Sequence, residues 1–203
     1  MTIELPDSMS LSEEDFFEFC RLNRDLRIER TAKGEIIVMS PTGGETGSRG
    51  AEITMQLRQW AKKDGTGVAF DSSTGFRLPN GAERSPDAAW LSRSRLAQLT
   101  SDQKRKFLPL CPDFVIELMS PSDTLNTVQS KMEEYIDNGS LLGWLIAASA
   151  RRVHVYKPGV APEILESLIE MSADPILPGF ILEMSEIWEP TICRFGNTAK
   201  ILE

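Results

Sequence analysis

At 203 residues, with 41% hydrophobic and 26% charged residues, the chain has a globular composition and the length of one domain, so residues 1–203 are expected to form a single domain with its core over about 12–190. A net charge of −8 and a pI near 4.9 weigh against a surface that holds nucleic acid by bulk electrostatics, and the longest apolar stretches, near 114–119 and 141–148, fall far short of the roughly 20 residues a membrane helix needs. Cys20, Cys111 and Cys193 are widely separated, odd in number and unaccompanied by histidine, so they suggest neither a disulfide framework nor a zinc site and read most simply as small apolar core residues.

The chain opens MTIELPDSMSLSEED, with acids where a secretory signal carries a basic start and an apolar core, so a cytoplasmic protein is expected. Ser12 followed by Asp15, ahead of Phe16, Phe19, Cys20 and Leu22, predicts a capped amphipathic helix. Residues 26–30 and 35–39 read as two strands joined through Ala32-Lys33-Gly34, a hairpin. After the loop SPTGGETG, Ile53, Leu57 and Trp60 define a helix running to about Lys62. GVAFD, STGFRL and SPDAAWL, separated by Ser72 and by Pro79-Asn80-Gly81, predict a three-stranded meander. A helical segment follows over 92–107. Residues 113–119, nearly all apolar and bounded by prolines, predict a strand covered on both faces at the centre of the sheet. Ser120-Pro121-Ser122 reads as strand exit and N-cap of a helix over 122–137, stopped by Asn138-Gly139. Strands over 143–148 and 152–157, then a strand and short helix within LPGFILEMSEIW, complete the chain, and the order strand, helix, strand from 113 to 148 predicts a parallel crossover.

Strand alternation in FVIELM puts Phe114, Ile116 and Leu118 on one face and Val115, Glu117 and Met119 on the other. Glu117 is then an acid on a strand apolar on both faces, and burying a carboxylate alone costs on the order of several kcal/mol. Protonation, an ion pair or a bound cation must compensate. Asp87 poses the same question at the start of AAWL. Two carboxylates brought together repel unless a divalent cation lies between them, and hard oxygen ligands without histidine or cysteine favour magnesium or manganese. The simpler alternative makes Asp87 a turn cap and pairs Glu117 with an internal lysine or arginine. Lys131 falls at the margin of the stripe formed by Leu125, Val128, Met132 and Ile136, beside Tyr135. There it is either a boundary lysine whose ammonium reaches water or a cation that orients water and stabilises charge beside the two acids. Arg93, Arg95, Lys104, Arg105 and Lys106 gather within 14 residues, most simply as a solvated helical surface. The glycines of GGETG lack the spacing and lysine of a phosphate loop, and His154, the one histidine, is poorly placed for a triad with Ser120 or Ser122.

SPTGGETG at 40–47, FDSSTGFRLPNGAERSPDAAWL at 70–91, CPDFVIELMSPSD at 111–123 and KMEEYIDNGSLLGWLI at 131–146 together resemble the Uma2 family of proposed restriction-type endonucleases, first grouped as a domain of unknown function. That family resembles PD-(D/E)xK nucleases. The resemblance implies an α/β (α+β) fold with a restriction-endonuclease-like core, a mixed central β-sheet flanked by helices. It also implies magnesium-dependent (or manganese-dependent) hydrolysis of DNA. Asp87 and Glu117 would be metal ligands, with the Leu118 carbonyl completing the coordination. The lysine expected two residues after the glutamate is Met119 here, so Lys131 is the candidate for a lysine moved to the neighbouring helix. Glu45, or Glu52 further along, resembles the acid that such nucleases carry on their first core helix, and Glu45 lies within the matching motif. By analogy at the level of the fold, a homodimer fits cleavage of both strands. The alternative is a catalytically inactive nuclease-fold module that binds nucleic acid or a protein partner.

Overall fold

The computed structural model describes residues 1–5 and 11–193, and the parts of the expected span at 6–10 and 194–203 lie outside the described residues. The elements are β1 (Thr2–Ile3), α1 (Glu13–Leu22), β2 (Arg27–Arg30), β3 (Ile36–Met39), α2 (Gly44–Asp64), β4 (Gly67–Asp71), β5 (Phe76–Arg77), β6 (Glu83–Arg84), β7 (Ala88–Ser92), α3 (Arg93–Leu96), β8 (Phe114–Leu118), α4 (Leu125–Asp137), β9 (Leu142–Ala147), β10 (Arg152–Tyr156), β11 (Glu163–Glu166), β12 (Glu170–Ser172), β13 (Ile181–Glu183) and α5 (Ser185–Trp188). Among the described residues no helix is long and apolar enough to cross a membrane.

Six strands in the order β11-β10-β9-β8-β7-β4 form the main sheet. Its β8–β9 pair is parallel and bridged by α4; the other pairs are antiparallel, so the sheet is mixed. β8 sits inside that order and every one of its residues is buried, as its unbroken apolar run predicts. Phe114, Ile116 and Leu118 join Ile53, Leu57 and Ala61 of α2 on one face, together with Trp144, Phe180 and Trp188. Val115 faces the other way, into a cluster with Val128, Met132 and Tyr135 of α4. Each such large side chain removed from water contributes roughly 1.5–3 kcal/mol. Gly143 lets α4 approach β9 closely, because a Cβ there would overlap the end of Met132. That approach seats Lys131 and Tyr135 over the polar end of β8.

A second sheet, β1-β3-β2-β6-β5, carries the hairpin β2–β3, whose turn ends on Gly34 at φ 87°. The three-stranded meander does not form. β4 pairs directly with β7, whereas β5 leaves to pair with β6 in the second sheet, because Leu78-Pro79-Asn80-Gly81 closes a tight hairpin around Leu78 and Ala82. α2 begins inside the expected glycine loop, with Gly43 as N-cap, and ends at a left-handed Gly65. The segment 92–107 holds only the single turn α3 and a short 3-10 turn over Gln103–Arg105. Thr124 rather than Ser122 caps α4, accepting the Thr127 N–H, while Ser12 and Asp15 form the expected capping box of α1. Of the cysteines, Cys111 is buried and Cys193 exposed, so Cys193 is no core residue.

Candidate active site

The last rung of the β7–β8 ladder pairs Ala88 with Ile116, and one step beyond it Asp87 comes to lie beside Glu117. The Leu118 N–H donates to Asp87 Oδ2 at 2.8 Å, while both terminal nitrogens of Arg27 donate to Asp87 Oδ1 at 3.2 Å. Arg27 also donates to the Ser85 carbonyl at 2.6 Å, which locks the strand entering β7 against β2.

Glu117 shares the α4 face of β8 with Val115. Lys131 and Tyr135, four residues apart and so on one side of α4, both reach the same oxygen: Tyr135 Oη and Lys131 Nζ each lie 2.9 Å from Glu117 Oε1. Lys131 Nζ lies 2.9 Å from Glu29 Oε1 as well. Glu29 is in turn paired with Arg84 at 3.2 Å and accepts the Ser85 N–H at 2.9 Å, and Arg84 Nε donates to Glu134 at 2.6 Å. The linked network thus holds four acids, Glu29, Asp87, Glu117 and Glu134, and three bases, Arg27, Arg84 and Lys131.

Of the two buried glutamates that Lys131 joins, Glu117 is the one whose carboxyl is raised. Desolvation, with the charges of Asp87 and Glu29 behind it, pushes its carboxyl up to about 7 despite Lys131. Burial pushes Glu29 the same way, but Lys131, Arg84 and the Ser85 N–H outweigh it and hold Glu29 below the usual carboxylate range. Lys131 would lose its proton more easily on burial alone; the two glutamates reverse that and raise it above an ordinary lysine. Tyr135, desolvated and facing Glu117, is raised well above an ordinary tyrosine and stays a hydrogen-bond donor.

The seven charged groups of the network, with Tyr135 buried behind them, line a cleft of about 1490 Å³ walled by the β2–β3 hairpin, residues 40–43, one side of α2, residues 120–123 and α4. The side of α2 that faces it presents Gly47, Gly50, Ala51, Thr54 and Arg58. Glu45 is not on that side: it is a half-turn away, exposed, and paired with Arg49 at 3.2 Å. Helical periodicity separates it from Thr46 and Gly47, which do line the cleft, so Glu45 stands outside the cleft in this structure, and Glu52, bonded to Gln56, lines the cleft no better. Met119, where a lysine was expected, packs against the α4-side apolar cluster. His154 is buried in β10 opposite Leu145 and Ile164, away from Ser120, whose hydroxyl bonds Ser122 and Asp123 in a local turn. Three of the basic residues at 93–106 are paired, Arg95 with Asp113, Arg105 with Asp102 and Lys106 with Glu14 of α1.

Glu29, Arg27, Arg84 and Tyr135 were not singled out from the sequence. A signal for the first and third exists: Glu29-Arg30 in β2 and Glu83-Arg84 in β6 repeat the same dipeptide, and the antiparallel pairing of Arg30 with Glu83 sets Glu29 against Arg84. Among the described residues no group of three or more His, Cys, Asp or Glu is arranged to hold a metal ion, so a cation at Asp87 and Glu117 would draw its other ligands from carbonyls, water or substrate.

The profile of the Uma2 family, described as "Putative restriction endonuclease", matches residues 13–185. No curated protein matches the chain. Among solved structures the chain is similar to a putative nuclease belonging to DUF820 from Anabaena variabilis ATCC 29413, with 19% identity and a TM-score of 0.68 over 79% of this chain and 89% of that one. At that identity the likeness is one of fold, and the fold is the mixed α/β arrangement expected.

Proposed function

The chain belongs to the Uma2 family, and from that premise we propose that it is a metal-dependent endonuclease that hydrolyses DNA phosphodiester bonds, with Asp87 and Glu117 holding magnesium or manganese. The observation that carries the reading is the convergence of Asp87, Glu117 and Lys131, from β7, β8 and α4, on one cleft where Glu117 is pushed up to about 7. A buried carboxylate in a network with more acids than bases is stabilised by added positive charge. The donors fit a hard divalent cation: two carboxylates, the nearby Leu118 carbonyl as a third oxygen, and no histidine or cysteine among the cleft residues.

A cation held there supplies Lewis acidity toward a phosphoryl oxygen and makes water a better nucleophile. The chain's own groups divide the rest of the work. Arg27 and the Leu118 N–H fix both oxygens of Asp87, and Tyr135 fixes Glu117 through Oε1. Lys131, kept protonated by Glu29 and Glu117, acts as a positive donor toward charge that builds on the phosphate, not as a base that removes a proton. Glu45 has no part in this arrangement.

The test is calorimetric titration of magnesium and manganese into wild type and Glu117→Gln, with circular dichroism to verify the fold. Binding in wild type and its loss in the variant is expected; equal binding in both would sink the reading. One observation favours a second reading, a catalytically inactive nuclease-fold module: Asp87 and Glu117 already have cationic partners in Arg27 and Lys131. That module would bind its partner equally with and without metal, and would hydrolyse nothing.

A further inference from the structure

The charge of the cleft limits what can be gripped there. Among the described residues seven acidic and five basic side chains line it, and three of the five bases, Arg27, Arg84 and Lys131, are ion-paired with the site's own carboxylates. Of the other two, Lys33 stands exposed on the β2–β3 turn, and Arg58 lies on α2 with one nitrogen donated to the Ala69 carbonyl at 3.3 Å. A protein that tracks a duplex neutralises about six to ten phosphates with lysine and arginine. Among the described residues this cleft offers, beyond Lys131 at the reacting phosphate, two uncommitted cations.

The denser basic cluster does not extend that grip. Arg93 and Arg95 follow Ser92, at the opposite end of β7 from Asp87, about 17 Å away at a strand rise of ~3.4 Å per residue. Arg93 Nε donates to the Gly65 carbonyl and Arg95 pairs with Asp113, so both serve the far end of the sheet. The chain as a whole carries −8, which repels a long polyanion at a distance.

We infer that the site takes a short stretch of single strand, presenting one or two phosphates beside Asp87 and Glu117, and not a duplex held along its backbone. This rests on reading the site as a phosphodiesterase. The end of a longer strand and a free oligonucleotide offer the same chemistry. Lys33 and Arg58, both on the cleft wall, are then the uncommitted cations left for the rest of the strand.

Fluorescence anisotropy of a labelled four-nucleotide strand, a 20-base-pair duplex and the same duplex with a four-nucleotide overhang, each at 50 and 200 mM salt in fixed manganese, tests it alongside hydrolysis of the same probes. The expected result is that the short strand binds at least as well as the blunt duplex. With one or two phosphates engaged, its affinity should fall only about three- to sevenfold over that salt range. Equal use of overhang and free strand points to strand ends, and use of the free strand alone to oligonucleotides; both support the inference. Lys33→Ala with Arg58→Ala should weaken short-strand binding about tenfold, while Lys104→Ala with Arg105→Ala should change it less than twofold. Manganese-dependent hydrolysis of the blunt duplex, with affinity falling a hundredfold or more over the same range, would overturn the inference and leave the phosphodiesterase reading standing. Neither binding nor hydrolysis of any probe would overturn both.

Discussion

Strands β2 and β6 build two ion clusters back to back, each around a buried pair, and only one of them opens to the cleft. Arg30 and Glu83 pair at 2.6 Å on one side, joined by Arg77 and Glu13, with the Arg30 guanidinium 4.7 Å above the Phe16 ring. Glu29 and Arg84 pair on the other side and continue to Lys131, Glu117 and Glu134 and, through the Ser85 backbone, to Arg27 and Asp87. The first cluster balances two acids with two bases, and none of its members lines the cleft. The second has four acids to three bases and lines it. Burial raises Glu83 too, against Arg30 and Arg77, so buried acid alone does not mark a site. What separates the two is unbalanced charge together with access.

The largest expected effect breaks the closed cluster. Glu83→Ala leaves Arg30 buried without its partner and should cost about 3–5 kcal/mol in urea unfolding, while metal binding per folded molecule stays as in wild type. A cost below about 1 kcal/mol would mean that water reaches Arg30 and that the cluster is not closed. The open cluster should answer in the opposite sense. Glu117→Gln keeps an oxygen for Tyr135 and removes the acid that Asp87 and Glu29 repel, so stability at pH 8 should not fall, whereas hydrolysis should drop about 10²–10³-fold. A destabilised but fully active variant would exchange the roles of the two clusters.

The contrast also explains what could be read in advance. β8, α4 and β9 were legible because an all-apolar strand, a capped helix and a second apolar strand are each specified locally, and Glu117 stood out as an acid within the first of them. Lys131 was legible from its place beside the stripe of α4. Glu29 was not, since an acid in a hairpin strand reads as solvent-facing until β6 is known to lie beside β2. The same long-range pairing defeated the meander: β5 has the composition of a neighbour for β4, and only its hairpin with β6 takes it to another sheet. Glu45 was placed by motif alone, and the motif does not say which side of α2 faces the cleft.

Proton and cation compete for Glu117, so pH sharpens the comparison further. With its carboxyl pushed up to about 7 from an ordinary 4.5, metal affinity should rise about tenfold per pH unit below 7 and level off above it. Stability without metal runs the other way. The folded chain binds this proton more tightly than the unfolded chain, so the Glu117 contribution is present below about 4.5 and lost as pH climbs toward 7. Calorimetry at pH 5.5, 6.5 and 7.5 checks the first trend, and an affinity flat across that range would mean that Glu117 is ionised throughout. Tyr135→Phe removes a donor to the ionised carboxylate. At about 1.4 kcal/mol, that loss should move the midpoint of the metal-binding profile upward by roughly one pH unit.

The smallest effect belongs to the residue that motif and structure treat most differently. Glu45 lies in the first turn of α2, where a negative charge favours the helix dipole, and its carboxylate is exposed where it meets Arg49, whose guanidinium is mostly covered and also donates to the Ile187 carbonyl. Such i,i+4 pairs contribute about 0.3–0.5 kcal/mol, and less as salt is raised. Glu45→Ala should therefore lower stability by under about 1 kcal/mol and change the rate of hydrolysis less than twofold. A tenfold loss of rate in a folded Glu45→Ala protein would show that α2 turns this acid toward the cleft when substrate binds. The third acid of the site would then be Glu45, with Glu29 left as the anchor of Lys131.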